Sequence, residues 1–175
     1  MPIDLNEFIP AYEKWVAESL PEYRAGRMQE IVKTYPFMVS TDVPWTPYDG
    51  RPANQTIALV TSGGLYLKGL QPPFDTASIH GDASVREISK TVRPDDLGIA
   101  HAHYDHGLAE QDINVIFPIR RLIELEHEGI LGRVAATHYS FSYVNDVVPL
   151  VTATVPQVLS RVKAEGVDVL ILVPV

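Results

Sequence analysis

Apolar and polar positions along the chain fall into distinct rhythms, and each rhythm points to an element. Leu5, Phe8, Ile9, Tyr12, Trp15 and Val16 recur at helical spacing, so residues 1–35 read as a helical N-terminal segment. Pro10 then lies in the first turn or at a kink. A second helix is expected after Pro21, with Met28, Ile31 and Val32 facing inward. Residues 36–56 lose all periodicity, because Pro36, Pro44, Pro47, Gly50 and Pro52 interrupt it. They read as an irregular linker pinned by Tyr35, Phe37, Trp45 and Tyr48.

From residue 57 the pattern changes to short, continuous apolar runs at residues 57–61, 97–101 and 167–173. Such runs fit strands covered on both faces. Helices are expected between them. One begins near Pro118, carries Val115, Ile119, Leu122 and Ile123 as its stripe, and stops at Gly129. Another begins at a capping box, Thr154-Val155-Pro156-Gln157, continues through Val158, Leu159 and Val162, and stops at Gly166. Residues 84–89 suit a short edge strand, and residues 134–141 a strand or an extended loop.

The alternation predicts an α/β fold: a three-layer sandwich with a mostly parallel sheet, residues 57–175, behind the helical N-terminus. Residues 1–175 read as one domain, with 57–61, 97–101 and 167–173 as neighbouring parallel strands. Ligands on such sheets bind at the carboxyl ends of the strands. Those ends are Ser62-Gly63-Gly64, the stretch from His101 to His106, and Pro174-Val175.

Composition narrows the function classes. The chain has 175 residues and a net charge of −8, which argues against a nucleic-acid partner. It has no cysteine, so a disulfide scaffold, a Cys-based zinc site and a thiol redox centre within the chain are excluded. No basic-then-apolar leader and no apolar run of membrane-spanning length is visible, so a cytoplasmic protein is expected.

His101-Ala102-His103-Tyr104-Asp105-His106 is the sharpest local motif. It matches the H-x-H-x-D-H pattern with which metallo-β-lactamase-fold hydrolases hold metal ions. Only His127 and His138 follow it, fewer than that enzyme class uses, so a metal-dependent hydrolase built on this motif stands as the alternative function. A divalent metal held by His101, His103, Asp105 and His106 is one expectation; a hydrogen-bonded polar cluster at a strand end is the other. Ser62-Gly63-Gly64 suits either a tight turn or an anion cradle of backbone N–H groups. Lys68 and Arg86 stand as candidate carboxylate binders.

Several strings together carry a family likeness. They are I-A-L-V-T-S-G-G-L-Y-L-K-G from Ile57, P-P-F-D from Pro72, G-D-A-S-V-R-E-I from Gly81, H-A-H-Y-D from His101, D-I-N-V-I-F-P from Asp112, H-Y-S-F from His138 and G-V-D-V-L-I-L-V-P-V from Gly166. Over about residues 44–175 the chain resembles the selenoprotein B family of glycine, sarcosine, betaine and D-proline reductases, above all its short D-proline-reductase-like branch. The resemblance implies an oxidoreductase component that cleaves a C–N bond reductively in an amino acid or amine. It also implies a pyruvoyl group on a partner subunit, and a selenocysteine or cysteine directly after the strand at residues 167–173. No cofactor of that kind is carried by the chain itself. The expectation is a chain truncated at a selenocysteine codon, or a short paralogue acting as a silent scaffold.

On this reading His101, His103, Asp105 and His138 are the catalytic candidates, with Ser62, Gly63, Gly64, Lys68 and Arg86 as substrate binders. The uncovered end of the last strand would promote a homo-oligomer.

Overall fold

The computed structural model describes residues 5–38, 47–48 and 50–175. The expected roles of Pro44 and Trp45 lie outside the described residues. The chain divides into two compact units, Met1–Tyr48 and Asp49–Val175. The boundary falls inside the segment expected to be a linker.

The first unit is helical. Helix α1 (Leu5–Arg24) contains both Pro10 and Pro21, and α2 (Met28–Val32) follows a turn at Gly26. Pro21 therefore closes the first helix instead of preceding the second. Phe8, Tyr12, Trp15 and Ser19 form the buried stripe, spaced four, three and four residues apart. The Trp15 indole donates to Ile31 O at 3.0 Å and meets the Tyr35 ring edge-on. Ile31 is buried as expected, but Val32 is half exposed.

The second unit carries β1 (Thr56–Thr61), β2 (Leu65–Leu67), β3 (Arg86–Ser89), β4 (Leu97–Ile99), α3 (Gly107–Gln111), α4 (Ile119–His127), β5 (Arg133–Val134), β6 (Thr137–Ser140), α5 (Val147–Pro149), α6 (Val155–Ala164) and β7 (Val169–Val173). Strand β1 is central. On one side it pairs in parallel first with β5 and then with β6, two pieces of one extended segment. On the other side it pairs in parallel with β7 from Ile57 to Thr61. Strand β3 closes the sheet antiparallel to β6, as an edge strand. The mostly parallel α/β sheet is thus as expected.

Alternation along β1 sorts the two faces. Ile57 and Leu59 join Phe117, Ile119 and Leu122, so α4 and the turn before it cover one face. Val60 packs with Tyr139, Val158 and Val162, so α6 covers the other. Helix, sheet and helix make the three layers. Burying the Leu59 side chain alone contributes roughly 1.5–3 kcal/mol.

Three expectations are corrected. Strand β4 is not a neighbour of β1. It pairs antiparallel with β2 in a separate two-stranded ribbon, Leu65 opposite Ile99 and Leu67 opposite Leu97. Its apolar side chains are buried because the ribbon packs against the α4 side of the sheet, with Leu65 and Leu97 in the same core as Leu59. Strand β7 is not covered on both faces. Val169, Ile171 and Val173 pack inward, while Leu170 and Leu172 are 36% and 68% exposed. Among the described residues β7 pairs with β1 alone. Thr154 is not an N-cap. Its helix begins earlier, where the Asp146 carboxylate accepts from Val148 N, and widens through Leu150–Thr154 into a π-helical stretch before α6. The Thr154 hydroxyl donates to Ala83 O at 2.7 Å.

Among the described residues, no helix is long and apolar enough to cross a membrane.

Candidate functional site

Three segments meet beyond the carboxyl ends of β1, β4 and β6. Gly64 sits at φ +70°, and a side chain there would run into the Ala100 carbonyl. Only glycine allows this approach. Its N–H donates to Phe141 O at 2.7 Å, and its carbonyl accepts from Ala100 N at 2.8 Å. The Tyr104 hydroxyl donates to Gly63 O at 2.9 Å, and the Ser142 hydroxyl donates to Ala100 O at 2.9 Å. The β1 turn, the loop after β4 and the segment after β6 are therefore stitched backbone to backbone.

The histidine loop hangs on this seam. His101 is buried, and its Nδ1 accepts from His103 N at 3.2 Å. That bond uses the Nδ1 lone pair, so the proton of the neutral ring stays on Nε2, as a donor. Burial, then the charges of His103 and His106, push the His101 pKa down to about 4. At neutral pH it is an uncharged N–H donor. His106 Nε2 lies 2.7 Å from His101 O, which only accepts, so His106 donates there. The His103 ring lies 3.9 Å from that of Tyr143, and burial lowers its pKa too. Tyr104 packs edge-on to His101, and burial, then Glu110, push its hydroxyl up to about 12.

This geometry does not assemble a metal centre. Among the described residues, no group of three or more His, Asp or Glu side chains is placed to hold an ion. Ligation of a metal by His101 Nδ1 would displace the His103 N–H. Asp105 is exposed and accepts from Gly107 N at 2.9 Å, closing its own turn. Among the described residues these side chains form a hydrogen-bonded polar cluster.

The other candidates are placed as follows. The Ser62 hydroxyl accepts from Val175 N at 2.9 Å, which ties the turn to the residues after β7. Gly63 N donates to its neighbour Thr61 Oγ1 at 3.0 Å. Lys68 lies on the ribbon, donating to Asp95 O at 3.2 Å. The donors of Arg86, the other expected carboxylate binder, are engaged within the chain. They reach Pro72 O, Pro73 O, Val85 O and the Ser84 hydroxyl, with Asp82 at 3.7 Å and the Phe74 ring 4.2 Å beneath.

His138 is not part of the seam either. It is fully buried in β6, and its Nδ1 accepts from Leu59 N at 3.0 Å. Between β5 and β6 the β1 ladder is interrupted, and this side chain fills the gap.

Tyr104, Tyr143 and Ser142 belong to the cluster although sequence reasoning passed over them. The signal was available: Ser142 and Tyr143 directly follow a strand at the same sheet edge, where ligands bind.

The glycine/sarcosine/betaine reductase selenoprotein B family matches residues 28–175. Over 129 residues the chain is 33% identical to the D-proline reductase subunit gamma of Acetoanaerobium sticklandii, a match covering 73% of this chain and 52% of that protein. Over 143 residues it is 32% identical to the glycine reductase complex component B subunit gamma of Carboxydothermus hydrogenoformans, covering 76% and 33%. The sarcosine reductase complex component B subunit beta of Peptoclostridium acidaminophilum is 27% identical over 103 residues, covering 58% and 23%. The matches thus span from about half to less than a quarter of the length of these curated relatives. No solved structure matches the chain. A match that runs through the Gly63–Gly64 turn, the histidine loop and the last strand makes the chain a member of the glycine/sarcosine/betaine reductase selenoprotein B family.

Proposed function

We propose that the chain is a subunit of a reductase complex, and that the seam around Gly64 and His101 forms one wall of the site where the C–N bond of an amino acid or amine is cleaved reductively. The observation that carries the reading is the convergence itself. A neutral imidazole donor, a tyrosine hydroxyl and a glycine turn meet at the sheet edge where α/β proteins bind ligands. A selenol or thiol would act as nucleophile, and with no cysteine in these residues it would be supplied from outside them. His101 would contribute a hydrogen bond from Nε2 to a substrate carboxylate or to that nucleophile. With a pKa near 4 it is uncharged at neutral pH and would not lower a thiol pKa as a cation.

The test is reconstitution. The chain would be combined with reductase subunits from the same genome, and amine or ammonia release from glycine, sarcosine, betaine and D-proline would be followed with a dithiol reductant. Turnover of one of these, lost on omitting the chain, is expected. Full turnover without the chain, or no association with any such subunit, would overturn the reading.

The exposed residues Leu170, Leu172 and Val175 also favour self-association along β7. Sedimentation of the isolated chain is expected to show a species larger than the monomer. Leu172→Lys is expected to abolish it.

A further inference from the structure

The short strands differ in how their outer edges are answered. In the β2–β4 ribbon, Lys68 N donates to Asp96 O and Ala100 N donates to Gly64 O. With Tyr66 opposite Gly98, these bonds put the even-numbered residues in the hydrogen-bonded pairs of the ladder. The odd-numbered residues therefore turn their N–H and carbonyl groups outward. On β2 both outward N–H groups are taken by side chains: Leu65 N donates to Ser140 Oγ at 2.8 Å, and Leu67 N to Gln71 Oε1 at 2.9 Å. On β3 the Glu87 carbonyl accepts from the same Gln71 amide at 2.9 Å. On β4 the Leu97 N–H is taken, by Pro94 O. The Leu97 carbonyl, the Ile99 N–H and the Ile99 carbonyl have no partner among the described residues.

This edge borders a cavity of about 890 Å³, whose opposite wall is the segment from α3 to the start of α4. The side chains of Leu97 and Ile99 pack into the core beside Leu59, so what β4 shows the cavity at these positions is backbone. The charged groups around it offset one another: Asp112 faces Arg121 and Arg120, and Asp96 faces Lys68. The uncommitted chemistry is thus a row of backbone groups, carbonyl, N–H and carbonyl. Backbone groups of a half-covered edge cost free energy when unanswered, and another extended backbone answers them in order. The opposite wall decides what brings it. A second copy of the ribbon would carry its own α3 wall into the cavity, so the space suits a single extended segment of a different chain.

We propose that β4 takes up an extended segment of a partner subunit as an added strand. Partner N–H groups donate to Leu97 O and Ile99 O, and Ile99 N donates to a partner carbonyl. The partner side chain beside Gly98 lies against the ring of Tyr66, which is so close over Gly98 that a side chain on that residue would meet it at 2.6 Å. That the partner is a reductase subunit rests on the function proposed above; the open edge does not.

The experiment is amide hydrogen exchange, read residue by residue on the whole chain, alone and with the reductase subunits of the reconstitution. In the isolated chain the Ile99 amide is expected to exchange fast, while that of Gly98, inside the ladder, is protected. Subunit binding is expected to slow Ile99 about a hundredfold or more. Ile99→Pro deletes the outward N–H and spares the ladder, and Gln111→Trp fills the cavity from its exposed rim. Each is expected to weaken association about tenfold or more, as the loss of several hydrogen bonds does. Lys163→Trp, on the exposed side of α6, should leave it unchanged. If Ile99→Pro does not fold, Gln111→Trp decides alone. Protection of Ile99 in the isolated chain would overturn the proposal; if it rises with concentration, a second copy holds the edge. Association that leaves Ile99 unprotected, or that Gln111→Trp does not weaken, would also overturn it and leave the reductase reading standing. Absence of association with any reductase subunit would overturn both.

Discussion

His138 and His101 start from the same chemistry and end in different roles. Both are buried, both have a pKa of about 4, and in both Nδ1 accepts a backbone N–H. The difference is whose N–H it is. His138 takes one from Leu59, 79 positions away in sequence, and so joins two strands. His101 takes one from His103, two positions on, and so shapes its own loop. A long-range bond makes an imidazole part of the sheet. In either case the bond at Nδ1 fixes the tautomer; the Nε2 of His138 is then left buried without a hydrogen-bond partner, whereas that of His101 lies at the sheet edge where ligands bind.

The comparison breaks most sharply at His138. His138→Ala would leave the Leu59 N–H buried without an acceptor and open a cavity beside Phe117, whose ring meets the imidazole at 5.8 Å. A loss of about 3–5 kcal/mol is expected, read as a lower midpoint in denaturant titration. His101→Ala should cost less stability, on the order of 1–2 kcal/mol, because the bond it removes only closes a loop. A His101→Ala loss as large as that of His138→Ala would erase the distinction.

Acid should separate the fold from its unfolded state through His138. Its native pKa lies near 4, pushed down chiefly by burial, against an unfolded value near 6.5. Above pH 6.5 both states hold a neutral ring, and the group adds no pH dependence. Between 6.5 and 4 the unfolded chain takes up a proton that the native state refuses, so stability falls as pH falls. The loss by pH 4 is on the order of 3 kcal/mol. Denaturant midpoints measured across this window should show the slope, and His138→Gln should flatten it.

In a reconstituted complex the order reverses. His101→Ala is expected to lower turnover about a hundredfold, the scale of a lost positioned donor. His138→Gln should keep most activity per folded molecule.

Much of this architecture was legible from hydrophobic rhythm, and the parts that were not have physical reasons. The run at residues 97–101 reads as a buried strand, and burial is what it has. Rhythm reports how much water a strand loses, not which strand it pairs with. Its partner is set by bonds such as Lys68 N to Asp96 O and Ala100 N to Gly64 O, which tie it to β2. The helix at α4 and its stop at Gly129 were legible because capping and periodicity are local, although Val115, expected in its stripe, lies in the turn before it and is half exposed. His138 misled because its role depends on the interrupted pairing of β1 with β5 and then β6, a long-range fact. The surroundings of Arg86 were equally illegible: its four backbone and hydroxyl acceptors come from the loop at Pro72 and from its own strand's approach. The histidine loop was legible in composition, but which of its two expectations forms was not, since three imidazoles and a carboxylate close in sequence need not converge in space.

Asp105 gives the smallest effect and the cleanest check on that last point. Its carboxylate is exposed, and the contact it makes is with Gly107 N, an asparagine-compatible turn. Asp105→Asn keeps an oxygen acceptor in place, so stability should change by less than about 0.5 kcal/mol. Turnover in the reconstituted complex should stay within about threefold, because the side chain is spent on its own loop. A metal reading demands the opposite: losing a charged ligand would remove activity, and added divalent ion would partly restore it. Measured turnover of Asp105→Asn with and without such ions therefore separates a hydrogen-bonded cluster from a metal centre, and it does so without disturbing either buried imidazole.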